Sequence, residues 1–285
     1  MIALLGATGR SGEALARALV AEGTPFRPIA RNLAAWDAVG LPVPLTVSDV
    51  GDAGALQRAL AGATHVVSTV HARWTPQLLA AAEPDATFVL MGSTRRFSRW
   101  PDAHGDGVRA GEAAFLASGR RGVMLHPTMI YGAAREANVR RLAALLARLP
   151  VAPLPRGGRA LVQPIHQSDV TRCLLGALKH KWREATTLVI AGPRALPYRD
   201  FLRAVARAAG LRAPPILPVP AGILVRLLPL LRRLPGLPSI DAGEIRRLAE
   251  DKAFDIAPMR TLLGVDPIPL DQGLALTFPA SHTSR

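Results

Sequence analysis

The opening stretch, IALLGATGRSGEALARALV, limits this chain more than any other feature. A short apolar run meets Gly6, Gly9 and Gly12 at three-residue spacing and leads directly into a helical pattern. In a strand–loop–helix unit of this kind each glycine has its own task. The first permits the tight turn, the second lets backbone approach a pyrophosphate, and the third lets helix and strand pack closely. Phosphates then lie at the positive end of the helix dipole, against N–H groups with no partner inside the helix. The spacing here is GxxGxxG, one residue longer than the GxGxxG form.

The rest of the chain continues the same rhythm. Apolar runs predict strands at 2–5, 26–30, 43–47, 65–69, 87–91 and 122–125, and helical periodicity separates most of them, at 11–21, 53–60, 75–82 and 107–117. Such alternation with short joins predicts an α/β fold, a doubly wound parallel sheet of Rossmann type covered on both faces. Beyond residue 130 the pattern loosens: helices at 136–149, 168–178, 198–209 and 241–252, and strands at 161–165 and 187–191. The expected division is a nucleotide-binding domain over 1–130, to which 160–192 returns. A smaller, partly helical substrate lobe would comprise 131–159 and 193–285.

Composition sets outer limits. With 285 residues, 49% of them hydrophobic, the chain can bury a sizeable core. Cys173 is the only cysteine, which excludes an intrachain disulfide and fits a reducing cytoplasm, and no basic, apolar leader opens the chain. The net charge of +14 would suit nucleic acid. However, the excess is carried by arginine, the only lysines being Lys179, Lys181 and Lys252, and no nucleic-acid motif accompanies it. No nucleic-acid partner is expected, and no His/Cys/Asp cluster has metal-ligand spacing.

Downstream residues refine the ligand. The second strand ends on Arg31, where NAD-specific folds carry an acid for the ribose hydroxyls. A base there favours the 2′-phosphate of NADP(H) over NAD(H), and Arg10 in the loop could reach the same group. At the end of the third strand, Asp49 and Val50 could hold an adenine through a carboxylate and a backbone N–H. Asp49 could also cap the next helix. His166 faces the expected lobe junction and is a candidate substrate contact. His65 and His126 read as packed residues, and Asp169 as the cap or first turn of its helix.

GATGRSG, Arg31, SDV at 48–50 and HPTMIYG at 126–132 together resemble the extended and atypical short-chain dehydrogenase/reductase superfamily, in particular its epimerase/dehydratase-like and NmrA-like members. The likeness extends to VQPIHQSDV and to the C-terminal RLAEDKAFDIAPMRTLLGVDPIPLDQGL. It implies that Gly6, Thr8, Gly9, Arg10, Ser11 and Gly12 lie on the phosphates. It further implies Thr69 near the adenosine ribose, and Pro127, Thr128 and Met129 beside the nicotinamide.

The superfamily's chemistry rests on a tyrosine with a lysine four residues later, supported by a serine or threonine after the fifth strand. Tyr131 is followed at that distance by Arg135 and Tyr198 by Leu202, and neither precedes the appropriate helix. On that helix His104 takes the tyrosine position and Val108 the lysine position, with Arg109 one residue late. Of the expected set only Ser93 or Thr94 survives. Thr94 and His104 are therefore the catalytic candidates, His104 being the side chain best matched to neutral pH. Two functions stay open: an oxidoreductase or epimerase-like enzyme acting on a small molecule, or an NADP(H)-binding regulatory or assembly protein without turnover.

The segment from Ala213 to Pro238 is proline-rich and apolar, yet too short between charges to span a bilayer, which needs about 20 residues. From Ala221 to Leu234 it reads as an amphipathic helix with Arg226 and Arg233 on one face. It would cover the substrate cleft or a subunit contact, or else lie on an anionic membrane surface.

Overall fold

In the computed structural model, residues 1–133, 138–231 and 241–279 are described, the side chains of 227–231 excepted. The first part alternates without interruption: β1 (Ile2–Leu5), α1 (Arg10–Ala21), β2 (Phe26–Ala30), α2 (Leu33–Asp37), β3 (Thr46–Val47), α3 (Ala53–Leu60), β4 (His65–Ser68), α4 (Thr75–Ala81), β5 (Thr87–Met91), α5 (Ala103–Ala117) and β6 (Gly122–Pro127). Then follow β7 (Ile130–Tyr131), α6 (Asn138–Arg148), β8 (Ala152–Pro155), β9 (Leu161–Val162), β10 (Ile165–His166), α7 (Gln167–Lys179) and β11 (Ala185–Ile190). The remainder comprises β12 (Leu196–Pro197), α8 (Tyr198–Ala208), β13 (Ile216–Val219), α9 (Ala221–Leu231), α10 (Ala242–Arg247), α11 (Ala257–Leu263) and α12 (Leu270–Thr277).

Seven strands form one sheet in the order β11-β6-β5-β4-β1-β2-β3, every pair parallel. The chain runs outward from β1 through β2 to β3, then crosses to β4 on the other side of β1. The sheet's topological switch point therefore lies between β1 and β4, where parallel sheets of this kind open a crevice at their carboxyl ends. The residues leaving those strands are Gly6 and Thr69.

Period-two alternation supplies a core on each face. Leu4, Val67, Val89, Val123 and Leu125 point to the side covered by α1, α7 and α11, through Leu15, Leu19, Val170, Leu174 and Met259. Ala3, Leu5, Val66, Phe88, Leu90 and Met124 point to the side of α3, α4 and α5, meeting Leu56, Leu60, Leu78, Val108 and Phe115. Full burial of each larger side chain is worth about 1.5–3 kcal/mol. A third cluster, around Tyr131, Val139, Leu146, Phe201 and Val205, lies outside the large sheet.

Departures from the periodicity have local causes. The third strand was expected over 43–47 but pairs only at Thr46 and Val47. Pro42 and Pro44 have no N–H for a ladder, and the Val43 carbonyl accepts instead from Trp36 Nε1 at 2.8 Å. Pro164 divides the expected strand 161–165: β9 pairs antiparallel with β12, and β10 pairs parallel with β7. α5 begins at Ala103, earlier than its glycines suggested, because the Asp102 carboxylate accepts the Gly105 amide at 2.7 Å. Asp241 and Glu244 form a reciprocal capping box on α10, which ends at Arg247 and not at Lys252. The expected helix start at Glu136 lies outside the described residues.

Candidate active site

The loop after β1 is locked from beneath. Gly6 has φ +76°, and a Cβ there would come within 2.6 Å of Thr69 Oγ1. A Cβ at Gly12 would come within 2.1 Å of the Gly6 carbonyl oxygen. Thr69 Oγ1 donates to the carbonyls of Leu5 (3.0 Å) and Gly6 (3.2 Å), tying the end of β1 to the end of β4. At Gly9, by contrast, a Cβ would meet only the Gly6 carbonyl, at 3.1 Å. Gly9 is the N-cap of α1 and offers no side chain to the first-turn amides.

These features open onto a cleft of about 600 Å³ above the switch point. It is lined by Gly9, Arg10 and Ser11 at the start of α1, by Thr69, Val70 and His71 after β4, by Met91 and Ser93 at the end of β5, and by His104 and Val108 of α5. Pro127, Thr128 and Met129 line it where β6 ends. Ser11 Oγ donates to Gln167 Oε1 at 3.1 Å, and Gln167 lines the same cleft from the start of α7.

Other expected residues lie elsewhere or are already engaged. Thr8 and Gly12 flank the cleft without lining it, and Gly12 is buried. Arg31 and Asp49, at the ends of β2 and β3, are exposed and face each other at 4.0 Å. Asp49 does not cap α3. Its Oδ1 accepts the Gly51 amide at 2.9 Å in a turn, while Asp52 caps through the Ala55 amide. Val50 packs partly against the core beside α3. The Thr128 hydroxyl donates to the buried Gln163 carbonyl.

Thr94 is not among the residues lining the cleft; its hydroxyl donates to the Pro127 carbonyl at 3.1 Å. Ser93 does line it, and accepts the Arg95 amide at 3.2 Å. His166 is outside the cleft too. It caps α7, accepting the Ser168 amide on Nδ1 at 3.2 Å, and borders a separate hollow of about 390 Å³ beside α1. Asp169 therefore is not the cap but stands in the first turn of α7, the other of its two expected places. It is fully buried and binds Arg172 and the Ile268 amide.

His104 and Val108, one turn apart on α5, both face the cleft, whereas Arg109 pairs with Asp106 and donates to the Arg96 carbonyl. Burial holds the His104 imidazole below its ordinary pKa, reinforced by Arg95 and opposed by Asp102. Its Nδ1 lies 3.2 Å from Nε2 of His71. His71 carries no motif of its own in the sequence. Its signal is on the opposite element: a Cβ at Gly107 would strike the His71 ring and one at Gly111 the Ala72 carbonyl, so these two glycines admit the turn 71–74 onto α5.

Beneath the cleft, His126 is fully enclosed. Nδ1 accepts the Ser93 amide at 3.1 Å, and Nε2 faces Glu112 Oε1 at 3.5 Å. Glu112 is also paired with Arg96. Burial, helped by the Arg96 charge, lowers the His126 pKa to about 4, and burial pushes the Glu112 carboxyl up against the pull of Arg96. Tyr131 is buried against Gly273 of α12, its phenol pushed up by burial and by Asp169 and Asp271.

No family model matches the sequence, and no curated protein matches it. Solved structures do. The NADPH-dependent quinone oxidoreductase QOR2 of Escherichia coli, determined with NADPH, is 19% identical, with 96% of this chain and 99% of that chain covered at a TM-score of 0.74. Triphenylmethane reductase of Citrobacter sp., determined with NADP(H), is 15% identical over 97% and 99% at 0.75. UDP-glucose 4-epimerase of Thermotoga maritima, determined with UDP-glucose, is 13% identical over 97% of each at 0.71. The likeness shows that this chain has the fold of these reductase and epimerase structures over nearly its whole length.

Proposed function

We propose that this protein binds NADP(H) in the switch-point cleft and is an oxidoreductase or epimerase-like enzyme on a small-molecule substrate, working without the Tyr–Lys pair. The observation that carries the reading is the uncapped start of α1 at Gly9, which lines the cleft. The loop is closed beneath by Gly6, Gly12 and Thr69, and no side chain takes the first-turn amides, leaving a backbone cradle that a pyrophosphate fits.

The first-turn amides of Arg10 and Ser11 would hold the phosphates. Arg31 would take the 2′-phosphate, and Asp49 and Val50 the adenine edge. Thr69 would face the ribose from a hydroxyl already committed to the loop, and Pro127–Met129 would flank the nicotinamide. When bound, the dinucleotide supplies the hydride, so the chain's own share is orientation and hydrogen bonding. His104 would serve the substrate oxygen from the tyrosine's usual place, with Ser93 beside it and Thr94 supporting the end of β6. Val108 leaves no ammonium on that helix face. The same vacancy favours a second reading, an NADP(H)-binding protein without turnover.

Calorimetric titration with NADPH and NADH tests the proposal. Saturable binding of NADPH is expected, and failure of both dinucleotides to bind overturns it.

A further inference from the structure

We infer that His71 is a positioning residue that fixes the proton of His104 on Nε2, so that the cleft meets its ligand with a neutral N–H donor suited to a carbonyl oxygen. The inference rests on the proposed reading of the cleft for its ligand class, but not for its geometry.

The chain of hydrogen bonds has one permitted direction. It begins at a backbone amide, which can only donate: Arg73 N–H is 3.1 Å from His71 Nδ1. That nitrogen must accept, so the neutral ring of His71 carries its proton on Nε2. Nε2 is 3.2 Å from His104 Nδ1, which therefore accepts in turn. The only nitrogen of His104 left to hold a proton is Nε2. The rings meet edge to face, centroids 4.5 Å apart and planes at 90°, and both residues line the cleft. Gly107 and Gly111 are what admit His71 to this distance.

The arrangement also opposes protonation. A proton added to His104 Nδ1 would confront the His71 Nε2–H, and His71 cannot turn its donor away without breaking the Arg73 bond. The charged groups around the pair are Arg73 and Arg95, which disfavour a cation, and Asp102, which favours one. A neutral imidazole donor polarises a carbonyl without becoming a competing cation, a use of histidine known from other enzymes. Such a site binds an acceptor oxygen. It does not act as a base toward an alcohol while Nε2 is protonated.

The test needs no ligand. In protein labelled with ¹⁵N-histidine, two-bond correlations near neutral pH assign the tautomers directly. The expected result is Nε2–H with bare Nδ1 for both His71 and His104; a protonated Nδ1 on either ring overturns the inference. Two isosteric variants sharpen it. His71→Gln can present a donor amide to His104 and should keep the Nε2–H tautomer. His71→Glu presents only acceptor oxygens and should move the His104 proton to Nδ1 or raise its pKa. Identical His104 spectra in the two variants would show that His71 merely fills space. A wild-type protein that fails to bind NADPH would remove the proposed function and leave these tautomers as they are.

Discussion

Gly12 and the carbonyl of Gly6 are in direct backbone contact: a methyl group on residue 12 would come within 2.1 Å of that oxygen. The contact is backbone on backbone, so no side chain can move aside to relieve it. Gly12→Ala should therefore push α1 away from β1, with overpacking of this kind costing about 1–3 kcal/mol. Gly23 makes the comparison. It has φ +64° but nothing near its Cβ position, so Gly23→Ala should cost only the left-handed backbone penalty of about 1–2 kcal/mol. Urea denaturation measures both losses. NADPH titration separates them in kind, since only the Gly12 variant should lose the dinucleotide.

Arg31 is exposed and its nearest acid is Asp49 at 4.0 Å, an ion pair too long and too wet to contribute much to stability. Its removal should leave the unfolding midpoint close to wild type. Charge-assisted hydrogen bonds to a 2′-phosphate are worth about 1.5–3 kcal/mol. Arg31→Ala should then weaken NADPH by about 10- to 150-fold while changing NADH little. Equal affinity of the wild-type protein for both dinucleotides would show that Arg31 reads nothing.

These two positions illustrate what the sequence could disclose. The glycine spacing and strand–helix rhythm follow from short-range rules, and they locate the switch point and most of the sheet. The cleft's lining from β5 and α5 depends on longer-range packing. That Ser93 faces the cleft while Thr94 binds the Pro127 carbonyl turns on the short turn after β5, which apolar periodicity does not encode. His166 looked like a substrate contact because it ends a strand at the lobe junction. Its Nδ1 accepts the Ser168 amide, and that bond holds it at the start of α7. His71 was invisible because its significance lies in glycines more than thirty residues later. The tail helix was legible as a helix, but α9 packs Leu224 onto Ile245 of the C-terminal segment, and none of its described side chains is among the residues lining the cleft. Its continuation through Arg233 and Leu234 lies outside the described residues.

His126 should make stability depend on pH. Its pKa is about 4 in the folded protein against about 6.5 when exposed, so between these values the unfolded chain binds the extra proton. Stability is then fully retained above about pH 6.5 and lost as pH falls toward 4, by about 3 kcal/mol at the lower end. His126→Asn keeps an acceptor for the Ser93 amide but cannot titrate. The measurement is the difference between the wild-type and variant urea midpoints at pH 7.5 and pH 5. The gap should narrow as pH falls, because only the wild type carries this His126 contribution. Glu112, its carboxyl raised by burial, acts in the opposite sense and touches His126, so the same comparison is made in a Glu112→Gln background to remove its contribution. A gap that stays constant with pH would mean that His126 is readily protonated in the folded state.

His104 decides between the enzyme and the silent binder. If the protein reduces a small carbonyl compound with NADPH, the developing oxyanion needs a donor, and no tyrosine is among the described residues that line the cleft. His104 is the titratable side chain lining the cleft from the tyrosine's place, with Val108 where an ammonium would otherwise assist it. General acid–base or hydrogen-bond help from one such group typically contributes about 10²–10⁴-fold. His104→Ala should accordingly lower kcat on an active substrate by at least about tenfold, the margin allowing for water to replace the ring in part. NADPH affinity should change little, because the contacts proposed for the phosphates and adenine come from the α1 start, Arg31, Asp49 and Val50 and not from α5. The measurement is steady-state NADPH oxidation over a panel of aldehydes, ketones and quinones, alongside dinucleotide titration of the same variant. An unchanged kcat would reduce His104 to a rim residue, leaving hydride positioning alone as the chain's contribution. A wild-type protein that binds NADPH and oxidises it with none of these compounds would favour the reading without turnover.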